Sequence, residues 1–238
     1  MALYLYGLIE GRRAVPPELR GIDTSPVRRL SIGEIAVVVS DFDDERSELD
    51  MEGVAAHAAV VDALFAGGPI LPFPVGTAGE EAALRSELEP RVPVYAERLQ
   101  RLEGHCELEV RAWLEEETAL TTVLAQNPRA RALSQTVGPG SSFDEQLRLG
   151  ELLGSELEAQ KQSVASALDH RLEALAVEIS VMTPGETEAF RAAYLVPTGS
   201  AGEFARQARA AEQEMPGLHV DVAGPVPPYS FAEPPPGL

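Results

Sequence analysis

Among 238 residues there is one cysteine, Cys106, and one lysine, Lys161. A single thiol excludes an intrachain disulfide and fits a reducing cytoplasm; inside a predicted strand it reads as a small buried hydrophobe. The scarcity of lysine reads as genome composition and carries no function. Basic residues of either kind are few: 19 stand against 38 acidic ones, giving a net charge of -19 and a pI near 4.5. Such a chain is repelled by a phosphate backbone or an anionic leaflet, so nucleic acid and membrane surfaces are excluded as partners. Long apolar runs are also missing. The opening MALYLYGLIEGRR is apolar only as far as Ile9, and its arginines follow that run instead of preceding it. It is read neither as a signal peptide nor as a membrane span. No nucleophile elbow and no two-histidine helix motif occurs, and His57, His105, His170 and His219 are scattered. The chain is therefore read as non-enzymatic, with no cofactor and no metal site.

What is present is apolar patterning over enough length for two cores, 45% of residues being hydrophobic. We expect an α+β chain: an N-terminal α+β domain over 1–103, a ferredoxin-like domain over 104–223 with a helical insertion at 115–137, and a Pro-rich extended tail over 224–238. Leu3, Leu5 and Ile9 alternate with Tyr4, Tyr6 and Leu8, so both faces of the first strand are apolar and it belongs inside its sheet. Val27 to Ile32 and Glu34 to Ser40 form either a hairpin or one bent strand around Gly33. Residues 41–52 carry seven acids against Arg46; they lack the alternation and turn glycine of a calcium loop and read as a solvated loop.

Met51 to Ala66 places Val54, His57, Ala58, Val61, Leu64 and Phe65 on one helical face, which makes His57 a core histidine. Ile70 to Gly76 reads as a strand, confined to an edge or bulge by Pro72 and Pro74. A helix from Gly79 breaks near Glu89, and a second starts around Arg91. In His105 to Leu114 apolar and polar residues alternate. His105, Cys106 and Glu107 are consecutive on that strand and point to opposite sides, so they cannot close on one ion.

The longest predicted helix starts at a capping box, Ser142 with Glu145, and repeats Phe143, Leu147, Leu153, Leu157, Val164, Leu168 and Leu172 along one face. Gly150 and Gly154 inside it imply close packing, against the chain itself or against a partner. Beyond it come a strand at Val177 to Val181, a type II turn at Thr183 to Glu186, a strand at Ala189 to Val196, a second capped helix from Ser200 and Glu203, and a last strand from Leu218 to Val222. The order β-α-β-β-α-β is that of a split βαβ, ferredoxin-like domain. Its outer sheet face would show Glu107, Glu109, Arg111, Trp113, Glu178, Ser180, His219 and Asp221. That face is acidic, without the stacking aromatics of an RNA platform.

The end of the chain, GPVPPYSFAEPPPGL, is too proline-rich to make a core of its own. Tyr229 and Phe231 within it, with Leu71 and Phe73 upstream, are the candidate partner-binding or tail-anchoring residues.

The segments LYLYGLI, GEIAVVVSDF, the His57 helix followed by LPFPVGT, GHCELEVRAWL and the terminal GPVPPYSF together resemble, in order and over nearly the whole chain, the GvpF/GvpL family of gas vesicle proteins. Leu71 to Gly76 departs from the family's LPVRFG-like run, Pro74 standing at a basic position. The resemblance implies an α+β domain, a ferredoxin-like domain and a tail. It also implies a cytoplasmic, gas vesicle associated minor component that binds the small hydrophobic shell protein, beside other gas vesicle accessory proteins, and limits its aggregation during nucleation. No catalytic residues come with it. The alternative function is a small-molecule-sensing regulatory domain; an enzyme using His57 with nearby acids stands third.

Overall fold

In a computed structural model, residues 2–42, 49–138 and 140–232 are described, and they form two compact units, one of residues 1–107 with 225–238 and one of 108–224. The first unit is built on β1 (Ala2–Glu10), buried from Leu3 to Ile9. Its antiparallel neighbour β3 (Ile35–Phe42) is in turn paired with β2 (Arg28–Ile32). Gly33 turns the β2–β3 hairpin at φ 60°, a left-handed conformation that glycine adopts without Cβ strain.

On the other side of β1 the proline-rich segment does not run as one strand. β4 (Leu71–Pro72) pairs with Gly7 and Leu8; the chain then turns, with Thr77 N–H bonded to the Pro74 carbonyl, and β5 (Ala78–Gly79) pairs with Leu3 and Tyr4. Pro72 pairs with Gly7 without donating to the ladder and Phe73 N–H still bonds the Tyr6 carbonyl at 3.0 Å, but the ladder stops at Pro74 and resumes only at β5.

α1 (Met51–Ala66) starts at Asp50, whose Oδ1 accepts from Gly53 N–H at 2.9 Å. Its buried face is Gly53, His57, Val60, Val61 and Leu64. Val54 and Ala58, expected on that face, are exposed, because the helix is rotated to seat Gly53 and His57 inward. α2 (Glu81–Leu88) and α3 (Val92–Leu102) are separated by a 3-10 turn at Glu89–Arg91, where Pro90 interrupts the helical bonding. Asp41 pairs with Arg28 at 2.7 Å. The rest of the acidic loop, residues 43–48, lies outside the described residues, as does Pro139 of the glycine-proline loop before the long helix.

The other sheet holds β6 (His105–Leu114), β7 (Glu178–Val181), β8 (Glu188–Pro197) and β9 (Leu218–Val226) in the order β7-β8-β6-β9. Between β6 and β7 lie α4 (Glu116–Gln126), α5 (Pro128–Thr136) and α6 (Phe143–Leu172); α7 (Ala201–Glu214) joins β8 to β9. Asn127 caps α5, its Oδ1 accepting from Arg129 and Ala130 N–H, with Pro128 at the first helical position. The capping box that starts α6 forms as its residues require: Ser142 accepts from Glu145 N–H and Glu145 accepts from Ser142 N–H. Those bonds hold the exposed Glu145 carboxyl below its ordinary range.

Four local expectations fail. α7 has no capping box: a 3-10 turn at Thr198–Ser200 runs straight into the helix, leaving Ser200 in helical geometry, and Glu203 bonds Arg206 and Gln207 instead. The turn before β8 is closed by Glu188 N–H to the Gly185 carbonyl, not by a type II turn over Pro184-Gly185; Gly185 does not take the positive φ such a turn needs. β9 continues to Val226, past the expected start of the tail at Gly224. The stripe along α6 is buried only at Val164, Leu168 and Leu172, while Phe143 is 75% and Leu147 48% exposed.

Leu168 is fully buried where α6 packs on β8 and α7. Leu168→Ala is expected to cost about 2–5 kcal/mol, transfer plus cavity, read as a lowered urea midpoint without change of slope.

Candidate functional site

The only deeply buried histidine is placed by alternation. Tyr4 and Tyr6, two apart on β1, project to the same face and meet His57 from α1. Tyr4 Oη accepts from Gly76 N–H at 3.0 Å, so its own hydrogen is left for His57 Nδ1 at 2.9 Å. That bond sets His57 as the neutral tautomer with hydrogen on Nε2. The rings of Tyr4 and Tyr6 lie 5.0 Å apart, and His57 stacks on Tyr6 at 5.7 Å. Tyr6 Oη accepts from Ile22 N–H at 2.9 Å and shares a bond with Ser40 Oγ at 3.0 Å. Burial pushes His57 down to about 4, with the Phe73 backbone acting the other way, and raises both tyrosines. The cluster satisfies both tyrosine hydroxyls and His57 Nδ1 inside an apolar layer, leaves His57 Nε2 buried without a hydrogen-bond partner, and no cavity-lining acid joins it. Nothing here resembles a base facing a substrate.

The remaining histidines do not converge. His105 Nδ1 bonds the Glu103 carbonyl at 2.8 Å, His170 pairs with Glu173 at 3.3 Å, and His219 stacks on Trp113 at 5.8 Å. Cys106 is fully buried. Among the described residues no group of three or more His, Cys, Asp or Glu stands where it would hold a metal ion, and no helix is long and apolar enough to cross a membrane. A groove of about 440 Å³ in the first unit is lined by Glu10, Arg12, Glu34, Leu99, Gln100 and Glu103, none from the His57 cluster.

The candidate tail and strand residues are brought together in the first unit. Leu71 and Phe73 are 2% and 1% exposed and belong to the core. The tail folds into a 3-10 turn, Tyr229–Phe231, beside β4, with Pro227, Pro228 and Ala232 buried, Phe231 half-buried and Tyr229 partly exposed. Its burial pushes the Tyr229 hydroxyl up to about 12, with the carboxylates Asp62 and Glu107 acting in the same direction.

A further residue holds the turn, and alternation alone hides it. Glu107, expected on the open sheet face, is 5% exposed and accepts from both Ser230 N–H and Ser230 Oγ at 2.7 Å. No spacing rule links positions so far apart in the chain. Hydrogen bonds to a charged acceptor are worth about 1.5–3 kcal/mol. Glu107→Ala is therefore expected to free residues 227–232, seen as amide exchange at Ser230 faster by about tenfold or more while the Leu5 and Val38 amides keep their protection.

The rest of the expected acidic face is also altered by pairing. Glu109 holds Arg191 at 2.8 Å, and Asp221 holds Arg111 at 3.0 Å, so charges alternate across the strands and the face is not uniformly acidic.

These features define a two-unit α+β protein with two antiparallel sheets. The profile described as gas vesicle synthesis protein GvpL/GvpF matches residues 2–233, and the chain belongs to that family. Gas vesicle protein F of Streptomyces sp. (strain CB03234) is 32% identical over 242 residues, spanning 98% of this chain and all of that one. Gas vesicle protein F of Dolichospermum flosaquae is 24% identical over 97% of each chain. The crystal structure of GvpF from Anabaena sp. PCC7120 shares the fold, with a TM-score of 0.84 at 23% identity and 98% of both chains covered.

Proposed function

We propose that this chain is a minor gas vesicle component and assembly factor that works in the cytoplasm by contact, not catalysis. It binds the small hydrophobic shell protein and limits its aggregation while vesicles nucleate, beside other gas vesicle accessory proteins. The observation that carries this reading is the family match over residues 2–233. Physical support comes from the surface: a net charge of -19 keeps a complex soluble, while large apolar side chains such as Phe143, Met51 and Val181 are left exposed. We further read the second unit as a ferredoxin-like domain bounded near residues 104 and 223, with α4 and α5 as its insertion. The sheet order, which runs second, third, first, fourth strand, supports this. Tyr229 and Phe231 with Leu71 and Phe73 are read as the anchoring of the tail, which the burial of Leu71 and Phe73 and the packing of the turn beside β4 support.

The test is to dilute denatured shell protein into buffer with and without the chain. Reduced light scattering and co-purification of the two are expected; unchanged scattering together with no co-purification overturns the reading.

A further inference from the structure

The long helix carries one stripe through two environments. Phe143, Leu147, Gly150 and Gly154 recur at alternating spacings of four and three, and the same phase continues to Val164 and Leu168, the repeat of a heptad seam. At its C-terminal end the seam is core, Val164 being 5% and Leu168 0% exposed. At its N-terminal end it is open, with Phe143 75% and Leu147 48% exposed. A Cβ added at Gly150 or Gly154 would meet nothing within 4 Å. α5 does not cover this side: the groove between α5 and α6 is lined by Arg148, Glu151, Leu152 and Ser155, which lie around the helix from the seam, beyond the border that Glu151 marks, and include none of Phe143, Leu147, Gly150 and Gly154. Two glycines one turn apart weaken a helix, and no close approach within the second unit accounts for them. They leave two notches between a phenylalanine-leucine ridge and the buried core.

We propose that this open half-seam seats an amphipathic α-helix of another polypeptide, one whose apolar ridge fills the two notches and whose flanks are basic. Helical form follows from the heptad spacing, which matches ridge to notch only for another helix. The basic flank follows from charge. Asp144, Glu151 and Glu158 succeed one another seven residues apart and line one border of the seam, with the sole cation on it, Lys161, paired to Glu158 at 3.1 Å. A second copy of this chain, itself at -19, would set that acidic row against another acidic or uncharged one, so it is the disfavoured occupant. The seat does not depend on the shell-protein reading, because a model helix suffices to probe it.

The probe is a labelled helical peptide with leucine at its a and d positions and lysine at e and g, compared with the same peptide carrying glutamate at e and g. Fluorescence anisotropy with the full chain is expected to show the lysine peptide binding at least about tenfold more tightly than the glutamate one, with an affinity that falls as salt rises. The double substitution Gly150→Leu with Gly154→Leu fills the notches and is expected to weaken binding by about tenfold or more while raising the thermal midpoint, because leucine is the better helix former. Phe143→Gln with Leu147→Gln gives the same loss without changing the notches. Equal binding of the two peptides, or unchanged binding by both double variants, overturns the proposal. So does sedimentation showing that the chain dimerises and that the leucine variant does not, since the occupant is then a second copy.

Discussion

Acidifying the protein from neutral pH to about 4 is expected to remove about 2–3 kcal/mol of stability from the first unit, and His57 is the group responsible. In the folded chain its pKa is lowered from 6.5 to about 4. The unfolded chain therefore takes up the proton first. Stability from this group is fully present above pH 6.5, falls as the pH drops from 6.5 toward 4, and levels off below. The cause is geometric. His57 is fully buried, Nδ1 accepts from Tyr4 Oη, and both tyrosine rings lie against it, so an imidazolium would have no counter-charge and would lose its Tyr4 bond. The depressed carboxyls of Glu145, Glu203 and Glu214 belong to the second unit and act in a lower window. Their contribution goes only as pH falls below their ordinary 4.5. Urea unfolding across this range, followed by tyrosine signals of the first unit, measures the slope. His57→Gln is expected to be less stable at neutral pH and to have lost most of the slope above 4.5. A variant that retains the wild-type slope refutes the assignment.

The same cluster shows what patterning reveals and what it conceals. Seven consecutive positions of β1, Leu3 to Ile9, are apolar or small enough to be buried on both faces, and the central place of the strand follows from that alone. The burial of His57 was legible too, since it shares a helical stripe with Val61 and Leu64. The partners of His57 were not: Tyr4 and Gly76 meet through a sheet and a turn, and no local rule encodes that meeting. Pro90 was read correctly as a helix break, whereas Ile70 to Gly76 was expected as one edge or bulged strand, and only the pairing to β1 decides that Leu71–Pro72 and Ala78–Gly79 are separate strands.

Local rules failed wherever tertiary context had the stronger claim. Ser200 and Glu203 carry the letters of a capping box, but the preceding 3-10 turn satisfies the helix start and releases Glu203 to Arg206 and Gln207. Glu107 falls on the outward side of an alternating strand, yet the chain end closes over it and supplies two donors. The α6 stripe is real as a period and half-empty as a contact, because periodicity says which residues share a face and not what covers it. The family was legible because its short segments lie in order along nearly the whole chain, which single elements would not have carried.

Gly21→Ala is expected to cost about 4 kcal/mol, among the largest effects available to one methyl group in this chain. Gly21 has φ -105°, outside the left-handed region, and the objection is the contact that a Cβ would make. A Cβ there would lie 1.8 Å from Tyr6 Oη, 2.7 Å from Tyr6 Cζ and 3.2 Å from Val27 Cγ2. Tyr6 is completely buried and cannot swing into solvent. Moving its ring breaks the bond from Ile22 N–H and the bond with Ser40 Oγ, leaving buried polar groups unpaired at about 1–3 kcal/mol each, on top of about 1–3 kcal/mol for overpacking. Tyr6→Phe tests the cause, because it removes the hydroxyl that the new methyl would strike. On its own it destabilises by leaving Ile22 N–H and Ser40 without their partner. Combined with Gly21→Ala it is expected to cost less than the sum of the two singles by about 1 kcal/mol or more in a double-mutant cycle read by urea unfolding. Strict additivity would mean that the methyl at position 21 and the Tyr6 hydroxyl do not contend for the same space.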